Sequence, residues 1–536
     1  MEAINQESVV APGDIKEAPV SMTTTDTNLT GSWKFFRPCV EDKRAPCAAA
    51  CPLGNEIPAV LDALLREGPE AALERLRRRN PLPAVTGRVC PNYCQQQCNR
   101  RSRDQEVLVG CIERYLGDLG LDRPYPAPDG KRPERVAVVG SGPAGLAAAY
   151  FLASAGLMVS LLEKEDRPGG LLRYGIPAYR LPKEVLDREI DNLLDSLDID
   201  LQLNRDIQAE EIPGLLAEHD FVFCAPGLGS SVVPPEFRTG GPGIEPGLEL
   251  LNRLNKGEVP AGKRFAVIGG GNVAVDVARS LIRCGKEVRI VYRRTFEEMP
   301  AYPEEKTQAL EEGVELLERR LVQAAEPLNS GLRLALAAAE NREGRIEPGL
   351  PVGDIEADRL VLAIGQTAHL DITGAERILV GGDYQTGPAT VVEAMATGRE
   401  AARSVLESLD PALAERIIPS QPELGGIDPE QVSLDFEPRH PPIEPEELDA
   451  ETRRSTFAEI RPTFSEEAVR EAASRCLGCG TCNGCGLCWF FCPDVAVRLE
   501  ESEQGLRPSI DADHCKGCGL CAAVCPRGII QLEEDV

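Results

Sequence analysis

The chain has 536 residues, enough for three or four domains at roughly 150 residues each. Its formal net charge of −28 at pH 7 excludes electrostatic binding to nucleic acid or to an anionic membrane, and favours solubility or docking on a basic partner face. It contains 19 cysteines and begins without a secretory leader, so we expect metal ligation in a reducing cytoplasm rather than a disulfide framework.

The N-terminal part is predicted to be a tail followed by a cysteine-rich helical domain. Residues 1–32 are rich in Thr, Ala and acidic residues, which is typical of a flexible tail. Residues 33–122 contain a charged helical stretch around 61–79 and seven cysteines, enough to fill one [4Fe–4S] cubane and most of a second. These cysteines are Cys39, Cys47, Cys51, Cys90, Cys94, Cys98 and Cys111.

After a Pro-rich linker, the first glycine-rich unit begins at Arg135. An apolar strand is followed by Gly140, Gly142 and Gly145 in the Gly-x-Gly-x-x-Gly spacing and then by a helix-forming run. These glycines let backbone amides approach a pyrophosphate at the helix N-terminus, and Glu163, at the end of the next predicted strand (158–162), suits a ribose. Residues 136–162 carry no charge, but their glycines and proline favour strand, turn and helix over a membrane span.

The second unit begins at Lys263 and has Gly269, Gly271 and Ala274 in the same spacing. The next predicted strand, 288–292, ends in Arg293 and Arg294 rather than in an acid. Two guanidinium groups suit a 2′-phosphate, which favours NADP(H) over NAD(H) and leaves surface salt bridges as the alternative.

We expect the strand 359–364 and Gly382–Asp383, before a helix at 389–402, to return the chain to the first unit. There Asp383 can face the ribityl and phosphate groups of a flavin. The predicted plan is an FAD domain (134–261 and 359–410) interrupted by an NAD(P)H domain (262–358). The predicted FAD residues are Gly140, Gly142, Pro143, Ala144, Gly145, Glu163, Lys164, Gly170, Leu171, Arg180, Gly382, Asp383 and Thr390. The predicted NAD(P)H residues are Gly269, Gly271, Asn272, Val273, Ala274, Arg293, Arg294 and Gly365.

No side chain in these two domains is predicted to be catalytic. Neither domain has a Cys-x-x-Cys pair, Cys224 and Cys284 are typical of core residues, and the chain has only four histidines. Electrons that leave the flavin are therefore expected to pass to iron–sulfur clusters.

Residues 411–470 are predicted to be an extended linker, and residues 471–536 a bacterial ferredoxin-like α+β domain. Two runs have the spacing Cys-x2-Cys-x2-Cys-x3-Cys-Pro, in which the fourth cysteine of each run crosses to the other [4Fe–4S] cluster. Two zinc sites are the weaker alternative. The predicted ligand sets are Cys482, Cys485, Cys488 and Cys525, and Cys515, Cys518, Cys521 and Cys492. Cys476 and Cys479 have no obvious partners and are either structural thiols or alternative ligands.

Several motifs resemble the glutamate synthase small (beta) subunit family over residues 33–410. These motifs are GRVCP at 87–91, ERYLGD at 113–118, PGGLLRYGIP at 168–177, YRLP at 179–182, YRR at 292–294 and GGDYQTGPAT at 381–390. The resemblance implies an α-helical Fe–S domain before two Rossmann-like α/β domains, with the NADPH domain inserted in the FAD domain.

Relatives of the N-terminal domain, including dihydropyrimidine dehydrogenase, have two clusters with one non-cysteine ligand. The resemblance implies that this ligand is Glu113, which completes a cluster with Cys51, Cys90 and Cys94. It also implies that Cys39, Cys47 and Cys98 contribute to the second cluster. The family supplies a further cysteine near Cys39 that this sequence lacks, and Cys111 is a candidate for the gap.

The ferredoxin tail departs from the simple beta subunit. The layout is similar to the iron–sulfur flavoprotein of the dissimilatory sulfite reductase system and to NAD(P)H subunits of 2-oxoacid:ferredoxin oxidoreductases. We therefore expect a cytoplasmic NAD(P)H:acceptor oxidoreductase that uses FAD and [4Fe–4S] clusters, in a hetero-oligomer with ferredoxin or catalytic redox subunits. The alternatives are a glutamate synthase small subunit, an electron-bifurcating flavoprotein subunit and a non-catalytic assembly subunit.

Overall fold

The computed structural model describes residues 31, 34–237, 243–368, 370–372, 376–420, 424–427, 430, 432–435, 437–502 and 505–534. The predicted tail, 1–32, lies outside the described residues except for Gly31. No helix in the described ranges combines the length and the apolar composition that crossing a membrane requires.

The N-terminal region is mainly helical, as predicted, but it begins with a strand. In α2 the apolar side chains of Ile57, Val60, Leu61 and Leu64 recur at helical spacing and are buried. The elements are β1 (Phe36–Val40), α1 (Pro46–Ala50), α2 (Ile57–Arg66), α3 (Pro69–Arg77), α4 (Pro83–Val89), α5 (Tyr93–Gln96) and α6 (Val109–Gly120).

Two Rossmann-like α/β units follow, and the uncharged stretch 136–162 forms a strand, a helix and a strand. The elements of the first unit are β2 (Arg135–Val139), α7 (Pro143–Ser154), β3 (Met158–Leu162), α8 (Leu171–Tyr174), α9 (Lys183–Leu197), β4 (Asp200–Gln202), α10 (Ile212–Leu215), β5 (Phe221–Cys224) and β6 (Ser230–Ser231). The elements of the second are β7 (Ile244–Pro246), α11 (Gly247–Asn255), β8 (Arg264–Ile268), α12 (Asn272–Arg283), β9 (Glu287–Tyr292), α13 (Pro303–Glu311), β10 (Glu315–Glu318), β11 (Arg320–Pro327), β12 (Leu332–Arg342), β13 (Arg345–Ala357), β14 (Arg359–Leu362) and β15 (Gln366–Thr367).

The C-terminal third returns to the first unit and ends in a small module that contains the β17–β18 hairpin. Its elements are β16 (Ile378–Val380), α14 (Asp383–Thr386), α15 (Val391–Leu409), α16 (Pro411–Ile417), α17 (Ala450–Ser455), α18 (Glu466–Ser474), α19 (Leu487–Phe490), β17 (Val497–Ser502), β18 (Gly505–Ile510), α20 (Leu520–Ala523) and β19 (Ile530–Glu534).

Two five-stranded parallel sheets form the centre of the molecule. The first has the order β16-β5-β2-β3-β4 and the second β10-β9-β8-β14-β7. An antiparallel sheet, β11-β12-β13, packs through buried leucines on one face of the second sheet. Helices α7 and α15 contribute to the main core beside the first sheet. Parallel strands of this kind place their loops, and any bound nucleotide, at the carboxyl edge.

The predicted boundaries between the two units are wrong at both ends. The strand at 359–362 does not return to the first sheet, because it lies between β8 and β7 in the second sheet. Asp358 fixes it there by accepting hydrogen bonds from the amides of Lys263 at 2.6 Å and Arg264 at 3.1 Å. The second sheet therefore spans residues 244–362, and β16 is the strand that returns to the first sheet.

The predicted linker, 411–470, is not a free spacer. It contains α16, α17 and the start of α18. Ion pairs connect it to the N-terminal helices and to the second unit. Glu459 accepts a hydrogen bond from Arg88 at 2.7 Å, and buried Arg453 contacts Glu447 and Glu311. This segment ties the N-terminal helices to the second sheet.

The two ends of the described chain meet. Strand β1 pairs antiparallel with β19, with Cys39 opposite Gln531. Residues 36–40, predicted to belong to the N-terminal helical domain, are thus part of the C-terminal ferredoxin-like module. Conversely, helix α18, from the C-terminal part of the chain, packs its buried Val469, Ala472 and Ala473 into the N-terminal helical core.

A fully buried ion cluster stabilises the second unit. Glu312 accepts hydrogen bonds from Arg279 at 2.6 and 3.0 Å and from Arg283 at 2.6 and 3.0 Å. Burial raises the pKa of Glu312, but the two guanidinium groups outweigh burial and hold that pKa below its usual value. The stabilisation is therefore present above the usual carboxyl range and is lost as the pH falls through the lowered pKa.

We expect Glu312→Gln to lower the free energy of unfolding by about 3–5 kcal/mol, because removing one partner of a buried pair leaves the other charges uncompensated. The measurement is the urea midpoint followed by circular dichroism. The control is Glu315→Gln, which breaks the exposed ion pair with Arg289 and is expected to change the stability by less than about 1 kcal/mol. Equal midpoints for the two variants would contradict this prediction.

Candidate cofactor sites

A cavity of about 350 Å³ lies in the first unit, at the carboxyl ends of β2, β3 and β5. It contains most of the residues predicted to bind FAD. Those that line it are Gly140, Gly142, Pro143, Ala144, Glu163, Lys164, Gly170, Leu171, Gly382, Asp383 and Thr390. The cavity is also lined by residues that no motif pointed to, such as Arg205, Gly227 and Gln366.

The three motif glycines have different roles. Gly140 has φ +98°, and a Cβ there would lie 2.4 Å from the Ala225 carbonyl oxygen. A Cβ on Gly145 would lie 1.8 Å from the Gly140 oxygen, so this residue permits close strand–helix packing and does not line the cavity. Gly142 precedes α7, and a Cβ there meets nothing within 4 Å. This open space next to a helix N-terminus fits a pyrophosphate.

Glu163 is buried at the cavity, but its carboxylate already has partners in the protein. It accepts hydrogen bonds from the Ser141 amide at 2.9 Å, from the Ser141 hydroxyl and from the Glu165 amide at 2.9 Å. Glu163 therefore holds the shape of the glycine turn, in addition to lying where a ribose was predicted.

Asp383 and Thr390 lie at the starts of two helices that face the cavity. Asp383 is the first residue of α14 and accepts a hydrogen bond from the Ala389 amide at 3.3 Å. Burial, together with the charge of Glu393, raises the pKa of Asp383 to about 6. Thr390 caps α15 in a reciprocal pair with Glu393.

Arg180, which was also predicted to bind FAD, does not line this cavity. Its guanidinium is buried and pairs with Asp276 at 2.8 Å and Glu305 at 3.0 Å. Both partners belong to the second unit, so Arg180 joins the two units. A motif resemblance marks such a residue without telling which neighbour it contacts.

The second glycine turn repeats the geometry of the first. Gly269 has φ +145°, and a Cβ there would lie 2.2 Å from the Ala363 oxygen. Gly271 faces open space at the start of α12, where Asn272, Val273 and buried Ala274 follow. The Asn272 side-chain oxygen accepts a hydrogen bond from the Tyr302 amide at 3.0 Å. This turn therefore also fits a pyrophosphate.

Arg293 and Arg294 directly follow β9, with Arg293 exposed and Arg294 half-buried. Neither of them forms an ion pair with a side chain in the described ranges, although the charge of Arg294 contributes to lowering the pKa of Glu298. Binding of a 2′-phosphate by the two arginines stays a prediction. Gly365 has φ +128°, and its carbonyl oxygen accepts a hydrogen bond from the Val232 amide at 3.0 Å. It lies beside Gln366, which lines the first cavity.

The C-terminal module brings its cysteines together in the two crossed groups that the spacing predicts. One small cavity is lined by Cys482, Cys485, Cys488 and Cys525. A second is lined by Cys492, Cys515, Cys518 and Cys521. Four thiols around one cavity are the donor set of a [4Fe–4S] cluster.

A third group contains Cys51, Cys90, Cys94 and Glu113. The electrostatic influence on Cys94 comes from Cys90, Glu113 and Cys51, which places the four side chains together. Burial raises the pKa of Glu113 to about 7, and Asn80 donates a hydrogen bond to this carboxyl group at 3.1 Å. Three thiols and one carboxyl group fit the ligand set that the family resemblance implies.

The structure does not bring Cys39 or Cys111 to these groups, although both were predicted as ligands. Cys39 lies on β1 beside Glu533, in the C-terminal module. Cys111 lies two residues before Glu113 on α6, so the two side chains point to different sides of the helix. The charges nearest to Cys111 are Arg461 and Arg114.

The third group lies next to the first cavity. Tyr93, between Cys90 and Cys94 in sequence, donates a hydrogen bond from its hydroxyl to Glu393 at 3.2 Å. Glu393 is also the partner of Thr390, which lines the cavity. Cys51, Cys90 and Tyr93 pack against the core of the first unit. This arrangement suits electron exchange between the two sites.

Comparison with known families gives three matches along the chain. Residues 134–386 match the pyridine nucleotide-disulphide oxidoreductase family. Residues 33–123 match the dihydropyrimidine dehydrogenase domain II family with a 4Fe-4S cluster. Residues 481–529 match the 4Fe-4S dicluster domain.

Three curated proteins are similar to this chain over most of its length. The chain is 33% identical to the NADP(+)-dependent formate dehydrogenase subunit beta of Moorella thermoacetica, over 81% of this chain and 70% of that protein. It is 30% identical to the NADPH-Fe(3+) oxidoreductase subunit beta of Geobacter sulfurreducens, over 82% and 76%. It is also 31% identical to the NAD-dependent dihydropyrimidine dehydrogenase subunit PreT of Escherichia coli, over 70% and 93%.

Proposed function

This chain belongs to the family of pyridine-nucleotide oxidoreductases with 4Fe-4S domains that those beta subunits represent, and from that membership we propose that it passes electrons between NADP(H) and a partner redox protein. It is an FAD- and [4Fe–4S]-dependent NAD(P)H oxidoreductase. When bound, the flavin supplies the exchange between two-electron hydride chemistry and single-electron chemistry. The remaining steps depend on how the protein positions its sites.

The observation that carries the proposal is the contact between the flavin cavity and the Cys51, Cys90, Cys94 and Glu113 group. Tyr93 and Glu393 link the two through a hydrogen bond, without an intervening domain. This group is therefore the entry or exit for electrons at the flavin. The two groups in the C-terminal module lie further along the same path, and exposed Cys518 marks the end where a partner would dock.

The nicotinamide unit (244–362) interrupts the flavin unit in sequence, and buried Arg180 joins the two through Asp276. The Gly142 and Gly271 turns offer backbone amides to two pyrophosphates. Arg293 and Arg294 supply charge for a 2′-phosphate of NADP(H). The NAD-dependent relative leaves NAD(H) as a second nucleotide to be tested.

We expect the affinity of the flavin-free protein for FAD to depend on Asp383. An ionised carboxylate accepts a hydrogen bond from a ribityl hydroxyl, so the Asp383 pKa falls from about 6 when FAD binds. The dissociation constant should therefore rise as the pH falls below about 6 and stay constant above it. The measurement is quenching of FAD fluorescence between pH 5 and pH 8.

The Asp383→Asn variant is expected to bind about tenfold more weakly at pH 8, or about 1.4 kcal/mol, and to lose this pH dependence. Asp206→Asn, at another residue of the cavity, should keep it. A pH dependence that survives in Asp383→Asn would assign the titration to a different group.

The partner proposed here is a ferredoxin or the catalytic subunits of a redox enzyme, in a hetero-oligomer. The relatives are named as beta subunits, and the net charge of −28 fits docking on a basic face. None of the 19 cysteines forms a disulfide in the structure, which fits a reducing cytoplasm.

The proposed function is tested by anaerobic titration with NADPH and, separately, with NADH, followed by absorbance and EPR. Bleaching by NADPH at low concentration, with [4Fe–4S] signals appearing, is the expected result. Preference for NADH would overturn the assignment of NADP(H) as the nucleotide and would leave the proposed electron transfer in place. No reaction with either nucleotide would overturn the proposed activity.

A further inference from the structure

A fourth group of cysteines combines residues from opposite ends of the chain. Cys47 and Cys98 from the N-terminal helices line one cavity together with Cys476 and Cys479, which precede the ferredoxin-type spacing. The cavity encloses about 30 Å³, against about 20 Å³ and 10 Å³ for the two cavities of the C-terminal module. All three cavities are thus small and are lined by the same type of donor, the cysteine thiol.

The segment that contains Cys476 and Cys479 is fixed by several independent contacts. The Gly480 oxygen accepts a hydrogen bond from the Lys43 amide at 2.7 Å. The Arg475 guanidinium is buried and pairs with Asp104 at 3.0 Å. The Asn99 amide group donates to the Cys479 sulfur at 3.5 Å. The two thiols are therefore held against the N-terminal helices by the fold itself.

A buried cation with two unsatisfied donors points to an anionic occupant. The Arg527 side chain is 6% exposed and donates from Nη2 to Glu437 at 2.7 Å, but its Nε and Nη1 atoms find no hydrogen-bond partner in the described part of the chain. Its charge acts on both Cys476 and Cys479. The same residue lines the Cys482 cavity. Buried donors without partners are costly, and thiolate-bound clusters on either side would compensate them.

The arrangement suits a cluster rather than a single ion. In the described ranges, no three Cys, His, Asp or Glu side chains converge closely enough to bind one metal ion. A cubane places each iron on one thiolate, so it needs four thiols spread around a cavity. Cys94 also borders this cavity and acts electrostatically on Cys47, but the side chains with the largest electrostatic effect on Cys94 are Cys90, Glu113 and Cys51.

We propose that Cys47, Cys98, Cys476 and Cys479 ligate one [4Fe–4S] cluster, shared between the N-terminal helices and the segment that leads into the C-terminal module. Cys476 and Cys479 take the places that the family resemblance had assigned to Cys39 and a missing cysteine. The cluster lies between the Cys51 site, through Cys94, and the Cys482 site, through Arg527. It closes the gap in the electron path between the flavin and the C-terminal module.

The test is the iron and acid-labile sulfide content of anaerobically purified holoprotein. Four cubanes give about 16 iron atoms per chain. We expect Cys476→Ala and Cys98→Ala each to lose about four iron atoms, and the double variant to lose about four rather than about eight, because both residues serve one cluster. Cys39→Ala and Cys111→Ala are the matched controls and should lose none.

Flavin content and the EPR signals of the C-terminal clusters report whether each variant is folded. If a variant does not fold, labelling of the wild-type protein gives the answer: Cys476 and Cys479 should react with an alkylating reagent only after the iron is removed by a chelator. Full iron content in Cys476→Ala, or a loss of about four iron atoms in Cys39→Ala, would overturn the proposal. The fourth cluster rests on the proposed function only for its cluster type. The two can fail separately, because NADPH can still bleach the flavin in a protein whose iron content excludes the fourth cluster.

Discussion

Replacing Cys90 by alanine is expected to separate the two halves of the reaction. The variant should accept electrons from NADPH at the flavin at the wild-type rate, because Cys90 does not line the flavin cavity. Reduction of the C-terminal clusters should fall at least about 100-fold, or about 2.7 kcal/mol of activation free energy, because the group between them and the flavin is lost. Rapid mixing with NADPH, with flavin absorbance and freeze-quench EPR as the two signals, measures both rates.

The matched control is Cys111→Ala, which removes a thiol from the same helical region without touching any of the four cysteine groups. It should retain both rates. Wild-type reduction of the C-terminal clusters in Cys90→Ala would mean that electrons leave the flavin by another route. Loss of flavin in the variant would point to a structural role for the Cys51 group, which packs on the core of the flavin unit.

Replacing Arg293 and Arg294 together by alanine is expected to reverse the nucleotide preference. Each charge-assisted hydrogen bond contributes about 1.5–3 kcal/mol, so kcat/KM for NADPH should fall about 10–100-fold or more. The kcat/KM for NADH should change by no more than about twofold, because NADH has no 2′-phosphate for the two arginines to bind. Initial rates of acceptor reduction at several nucleotide concentrations provide the comparison.

Arg289→Ala is the control for this prediction, because Arg289 lies on β9, the strand that Arg293 and Arg294 follow, but pairs with Glu315 on the surface. It should leave both nucleotides unaffected. An equal loss with NADPH and NADH in the double variant would mean that the two arginines support the fold or the pyrophosphate rather than the 2′-phosphate.

Local sequence patterns predicted the strands, turns and cysteine groups whose geometry is set within a few residues. The strand at 158–162, the glycine turns at Gly140 and Gly269 and the crossed ferredoxin groups follow from spacing, since backbone approach and thiol reach are set within a few residues. The match to known pyridine-nucleotide and 4Fe-4S families agrees with this prediction of class.

What depends on pairing between distant segments could not be predicted in the same way. An apolar strand such as 359–362 is compatible with either sheet. Its pairing with β8 and β7, together with the contact of Asp358 with Lys263, shows that it belongs to the second sheet. The pairing of Cys39 with Gln531 on β19 and the shared cavity of Cys47 and Cys476 likewise bring together residues more than 400 positions apart. No periodicity or motif encodes such a separation.

The pairing of β1 with β19 has a consequence for how the protein is made. Phe36 lies opposite Glu534, so the first strand has no partner until residues 530–534 have left the ribosome. At about 5–20 residues per second, that interval is roughly 25–100 s. During synthesis the nucleotide-binding units can fold in order, while the N-terminal strand remains an unpaired edge that is prone to association. Long-range closure of this kind is slow, and a truncation that removes either 36–40 or 530–534 would remove one partner of the pair.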